Sequence, residues 1–293
     1  MHLKKFLIIF ICCLCPVFAA GTVMADAIKV ISYGADLTDE QKEKVYGIFG
    51  LKEAEKNNIA VTEVSNKEER KYLEGLVETE VIGEKAISCA YVELLGTGEG
   101  ITVDTHNITW VTPEMYASAL TTAQVKDAKI IAAAPFPVSG TAALTGIFKA
   151  FEVATGQSLN KEAKDVANEE MVRTGEIGKS IDDDRKATDL IIRIKEEVIE
   201  RDLSDPEEIR QVIIKISHEL KINLTDEQIN QLISLMQRIN SLNLDISEIN
   251  NQLKDIRSKL DTLVAQGEGI KGLLQRIIDF LTGILNSLKN LLG

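Results

Sequence analysis

Residues 128–154 read AKIIAAAPFPVSGTAALTGIFKAFEVA, and this stretch decides the fold class. Ala128 to Ala134 is a short run of small and branched apolar residues, the composition of a buried strand. Pro135-Phe136-Pro137 is expected to stop it, because proline has no amide hydrogen to give to a sheet ladder. Ser139-Gly140-Thr141 then opens a helix that runs to about Ala154. A strand feeding a helix in this way is the unit of a sheet with helices packed on it.

The residues upstream repeat that alternation. Ile28 to Tyr33 is a β-branched run ending at Gly34. Thr38-Asp39-Glu40-Gln41 follows as a capping box, in which the Thr38 hydroxyl accepts from the third helical amide and Gln41 reaches back. That helix is expected to end near Gly50, a natural cap. Ala60 to Val64 is a second strand, and Asn66-Lys67-Glu68-Glu69 starts a short charged helix. Two longer strands, Ala86 to Leu95 and Ile101 to Val111, are joined by Gly96-Thr97-Gly98-Glu99-Gly100, a link that reads as a hairpin. Thr112-Pro113-Glu114 supplies a cap and a first-turn proline for a helix reaching about Gln124. Residues 26–155 therefore read as an α/β domain with a mixed sheet.

Downstream the pattern turns helical throughout. Lys161 to Thr174, Arg185 to Arg201 and Pro206 to Leu220 fill a region from 156 to 222. In 223–266 the apolar residues Ile229, Leu232, Met236, Ile239, Leu242, Ile246, Ile249, Leu253, Ile256 and Leu260 alternate by threes and fours. Asn240, Ser241 and Asn243 sit where that spacing breaks. The seam is either one long helix or a helical hairpin packed on the rest of the chain. An intermolecular coiled coil, making a homo-oligomer through residues 229–263, is the second reading. Residues 267–293 form an amphipathic helix whose apolar face carries Ile270, Leu274, Ile277, Leu281, Ile284 and Leu288. It is expected to join a helical bundle, to meet an envelope protein, or to lie on a membrane surface.

The start of the chain bears on location. Lys4 and Lys5 precede an uncharged apolar run from Phe6 to Ala20, with Val23 and Ala25 at the small-residue positions of a cleavage site. Residues 1–25 read as a secretory signal peptide cleaved near Ala25. The expectation is a secreted protein on the extracellular side of the cell envelope. Cleavage removes two lysines and leaves 31 basic against 45 acidic residues, a net charge near −14. Such a chain repels phosphate backbones, which argues against nucleic acid as a partner. Cys89 is the one cysteine left beyond the signal segment, so core packing and not an intrachain disulfide holds the fold.

Four strings carry a resemblance to a known family. They are Tyr33 to Thr38 (YGADLT), Ala86 to Leu94 (AISCAYVEL), Asn107 to Thr112 (NITWVT), and Ala134 to Gly146 (APFPVSGTAALTG). On these, residues 26 to about 265 resemble the exported bacterial proteins grouped as domain of unknown function 1002. The resemblance implies export and one continuous domain. It supplies no activity, substrate or catalytic residue.

The candidate chemistry gathers at two strand-to-helix turns, 34–38 and 135–141. If the strands ending at Tyr33 and Ala134 run parallel as neighbours, both turns open at the carboxyl edge of one sheet, where α/β sheets bind ligands. Ser139, Gly140 and Thr141 would then present amides and hydroxyls to an anion, and Asp36 and Thr38 would face them. Cap and turn chemistry explains the same letters. No nucleophile elbow surrounds Ser139, Cys89 lies mid-strand, and His106 is the lone histidine of the α/β domain, so covalent catalysis finds little support. No metal and no cofactor is expected, and Asp182-Asp183-Asp184 reads as a linker or helix start. Trp110, Tyr91 and Phe136 would suit either a carbohydrate or peptide cleft or the core. Two functions follow. The first is a non-enzymatic envelope protein making contacts through its helical half. The second is an α/β ligand-binding protein or enzyme working at the two turns.

Overall fold

The computed structural model describes residues 28–77 and 79–263. Five strands form one mixed sheet: β1 (Lys29–Gly34), β2 (Ala60–Val64), β3 (Cys89–Leu94), β4 (Ile101–Ile108) and β5 (Ala128–Val138), in the order β2-β1-β3-β5-β4. The two outer pairs, β1 with β2 and β4 with β5, are parallel, whereas β3 is antiparallel to both its neighbours.

The expected hairpin is therefore corrected. β3 and β4 flank β5 and do not pair with each other. Burial explains the insertion. From Ile130 to Pro135, β5 is buried without a break, so it takes a central place, while β4 alternates exposed and covered positions as an edge strand does. The expected stop at Pro135 is also corrected, since β5 continues to Val138. The register jumps from His106↔Ala133 to Ile108↔Val138, so the Pro135-Phe136-Pro137 segment bulges out of the ladder. Asn107, at φ 58°, sits opposite the bulge and donates its side-chain amide to the Ala134 carbonyl at 2.8 Å, which satisfies an acceptor of β5 where the ladder is interrupted.

Ten α-helices lie among the described residues: α1 (Asp39–Ile48), α2 (Asn66–Leu73), α3 (Thr79–Ile82), α4 (Pro113–Thr122), α5 (Thr141–Thr155), α6 (Lys161–Ile181), α7 (Asp184–Glu200), α8 (Pro206–Glu219), α9 (Asp226–Ser241) and α10 (246–263). The capping boxes at Thr38 and Thr225 form as their spelling dictates, and Asp205 with Pro206 starts α8. Asp182 ends α6 in the left-handed region and Asp183 caps α7, which makes the acidic triplet a turn between two helices.

One face of the sheet packs under α1, with Ile31, Tyr33, Cys89 and Tyr91 against Val45, Tyr46 and Phe49. The other packs under α5 and α4, with Val30, Val92, Ile130 and Ala132 against Leu144, Ile147, Phe148 and Leu120. A second core lies mainly in the helical half, where it joins α6 to α10, and takes in Ala117 of α4. The chain between α9 and α10 turns at 242–245, so the seam is two helices and not one. Most of its apolar residues are used internally: Leu232, Met236, Ile239 and Leu253 are fully buried, as nearly are Ile249, Ile256 and Leu260, whereas Ile246 is exposed. Except at Ile246, the 229–263 stripe thus faces the protein's own core. The signal segment and the face from Ile270 to Leu288 lie outside the described residues.

α4 is buried from Met115 to Thr122 because it is clamped between the sheet and the helical half. Ala119 and Leu120 belong to the first core, Ala117 to the second. Behind it lies a buried polar knot. The Lys195 ammonium, wholly enclosed, donates to Glu170 at 2.7 Å, to the Ser118 hydroxyl and carbonyl at 2.9 Å, and to Thr122 at 3.1 Å. Burial pushes the Lys195 ammonium down from its ordinary range, and the Glu170 carboxylate beside it pulls the other way. Neither Lys195 nor Glu170 stood out in the sequence. A lysine flanked by Ile194 and Glu196 on a helix reads as a surface residue.

Candidate functional site

β1 and β5 run in the same direction but are not neighbours, because β3 lies between them. Their carboxyl ends open at the same end of the sheet, and there the helical half leaves a cavity of about 1070 Å³. Its floor is the end of β5 and the start of α5, from Val138 to Ala142. Its walls come from Glu69 on α2, the loop before β3, Trp110 beyond β4, the segment of α6 around Arg173 to Lys179, and the first turns of α9.

The expected residues divide. Ser139, Gly140 and Thr141 line the cavity. Asp36 and Thr38 do not. The Asp36 carboxylate accepts from the Ala86 amide at 2.8 Å, which ties the β1 turn to the segment leading into β3. The Thr38 hydroxyl is occupied in capping α1. Gly140 holds φ 97°, a conformation side chains rarely take. A Cβ there would stand 2.4 Å from Ile108 Cγ2 and 2.7 Å from Tyr116 Oη. The Tyr116 hydroxyl donates to the Gly140 carbonyl at 2.5 Å, so the turn is fixed from below by a fully buried tyrosine.

The decisive group is one the sequence did not single out. Glu69 is 1 % exposed and borders the cavity. One carboxyl oxygen accepts from the Thr141 hydroxyl at 2.5 Å and the other from Asn66 at 3.3 Å. Burial pushes its pKa up to about 7, aided by the Asp36 charge and opposed by the hydrogen bonds from Thr141 and Asn66 and by Arg70. It looks in the sequence like another first-turn acid of a charged helix. Only the folded chain shows that it points inward. Ser88 is the second such group: 4 % exposed and on the cavity wall.

Trp110 leans on Gly175, where an added Cβ would come within 2.5 Å of its Cζ2. Of the other aromatics, Tyr91 is buried beneath α1 and Phe136 is exposed on the bulge, so neither reaches the cavity. Cys89 is also buried on the α1 side, and burial pushes its thiol up to about 12, which leaves it inert. Among the described residues no group of three metal-ligating side chains comes together.

A family model described as "Protein of unknown function (DUF1002)" matches residues 33–256, from the end of β1 into α10. The chain belongs to this family. A relative in Bacillus subtilis (strain 168), the "Uncharacterized protein YpuA", is 38 % identical over 260 residues and covers 88 % of each chain. No solved structure matches. The DUF1002 match takes in every cavity residue, Glu69 to Leu232, and also the Lys195–Glu170 knot. Sheet and helical half fall within one family unit, in keeping with the shared burial of α4.

Proposed function

We propose that this DUF1002 protein is an exported, ligand-binding protein whose site is the cavity between the carboxyl end of the sheet and the helical half. The observation that carries the reading is the cavity's makeup. It is large and concave, and it holds an almost fully buried carboxyl group, that of Glu69, and the nearly buried Ser88 on mainly apolar walls. A buried acid poised near neutrality in a cleft is the kind of group found where ligands are handled. The described part of the helical half supports a contact role less well. Its apolar stripe is covered by its own chain but for Ile246, so an envelope or membrane contact rests chiefly on residues 267–293. Export rests on the layout of residues 1–25.

Thermal unfolding of the full chain across a panel of sugars, anions, peptides and lipids tests the binding role. A saturable rise in melting temperature with one class is expected. A panel in which nothing raises it counts against a binding cavity. Intact mass of the protein recovered from culture medium or cell surface tests export, with loss of residues 1–25 expected.

A further inference from the structure

We propose that the cavity takes a neutral, hydroxyl-rich ring compound, an oligosaccharide, with the Glu69 carboxyl group accepting from a sugar hydroxyl and Trp110 forming the apolar wall. This rests on the binding role argued above and names its ligand class.

Charge is the first argument. Three cations, Lys85, Arg173 and Lys179, border the cavity together with four carboxyl groups, Glu69, Glu84, Glu176 and Glu227. Arg173 is hydrogen-bonded to Glu176 at 2.8 Å, and its buried Nε lies 3.9 Å from Glu169 with no hydrogen-bond partner among the described residues. A site for phosphate or carboxylate ligands shows the reverse, a surplus of cations with a free guanidinium fork. The α5 N-terminus would ordinarily favour an anion, but here the Glu69 carboxyl group holds the Thr141 hydroxyl at its first residue. A second carboxylate or phosphate brought to that spot meets like charge where Glu69 is ionised, and a Thr141 hydroxyl already committed where it is not.

The remaining polar lining fits sugars. Ser88, Ser139 and Gln231 each both donate and accept, as sugar hydroxyls do. A carboxyl oxygen is the strongest acceptor such a hydroxyl can find. The C–H face of a sugar ring is apolar and slightly positive, complementary to the negative face of an indole. Volume agrees as well: about 1070 Å³ sits at the top of the usual range for ligand cavities and exceeds what one ring fills. A peptide is the other candidate, but extended peptides are held mainly by pairing with a free strand edge. The strand residue at this cavity, Val138, is already paired with Ile108.

Trp110 is the chain's single tryptophan, so its emission reports the cavity directly. The full chain is titrated with chitotetraose and maltotetraose, and in parallel with inorganic phosphate, citrate and trialanine. Saturable change in Trp110 emission with a tetrasaccharide is expected. Glu69→Leu, checked for an intact fold by circular dichroism, is expected to weaken it about tenfold or more, as loss of a buried hydrogen-bonding group does. The milder Ser88→Ala should weaken it severalfold. Unchanged saccharide affinity in both variants overturns the assignment of the site. A response to phosphate, citrate or trialanine alone overturns the saccharide class and leaves the binding role standing. Silence with every compound overturns both.

Discussion

Glu69 gives the sharpest stability test. Its pKa rises from 4.5 to about 7 on folding, so the folded chain holds this proton more tightly than the unfolded chain does. The sign follows directly. The contribution is intact below pH 4.5 and is lost as pH climbs towards 7, because above that the fold must keep a buried charge. At about 1.4 kcal/mol per unit, the full shift is worth about 3 kcal/mol, of which about 2–3 kcal/mol falls between pH 5 and pH 8. Glu69→Gln keeps the shape and an acceptor for the Thr141 hydroxyl while removing the titration. Urea denaturation of both proteins at several pH values measures the difference. The variant should gain on the parent by that amount from pH 5 to pH 8. Parallel curves for the two proteins over this range would refute the reasoning, since the carboxyl group would then titrate alike in both states.

Two further outcomes follow from the geometry. Lys195→Met should cost about 3–5 kcal/mol in the same denaturation assay, since it strands the Glu170 carboxylate in a dry interior. The double variant Lys195→Met/Glu170→Leu should recover much of that, and a single variant no worse than the double would sink the idea. Gly175→Ala should cost about 1–3 kcal/mol and shift Trp110 emission, because the new methyl group takes the space of the indole; an unmoved emission maximum would contradict the packing.

Much of the fold was legible because it is written locally. Capping boxes at 38–41 and 225–228, the Asp205-Pro206 start and the strand-to-helix passage at 139–141 each depend on residues three or four apart. Strand order was not. A Gly-rich link between two strands favours a hairpin when only neighbours are weighed, and what overrode it here was a later, more apolar strand taking the centre. The site shows the same division. Ser139 to Thr141 belong to a recognisable turn and do reach the cavity. Glu69, Ser88 and Trp110 come together only through α2, β3 and β4 packing, and no spacing along the chain announces that meeting. Asp36 stands outside the cavity, its carboxylate accepting from the Ala86 amide.

The burial of α4 on every side bears on how this protein can be divided. Gly156, between α5 and α6, looks like a natural place to cut, with a flexible residue and a change of composition across it. Cutting there would strip α4 of its second cover, leaving Ser118 and Thr122 wet on one fragment and an ammonium without its carbonyl on the other. The two pieces should therefore melt as one cooperative body and fail as separate ones. Any scheme that treats the sheet as a portable module inherits that handicap.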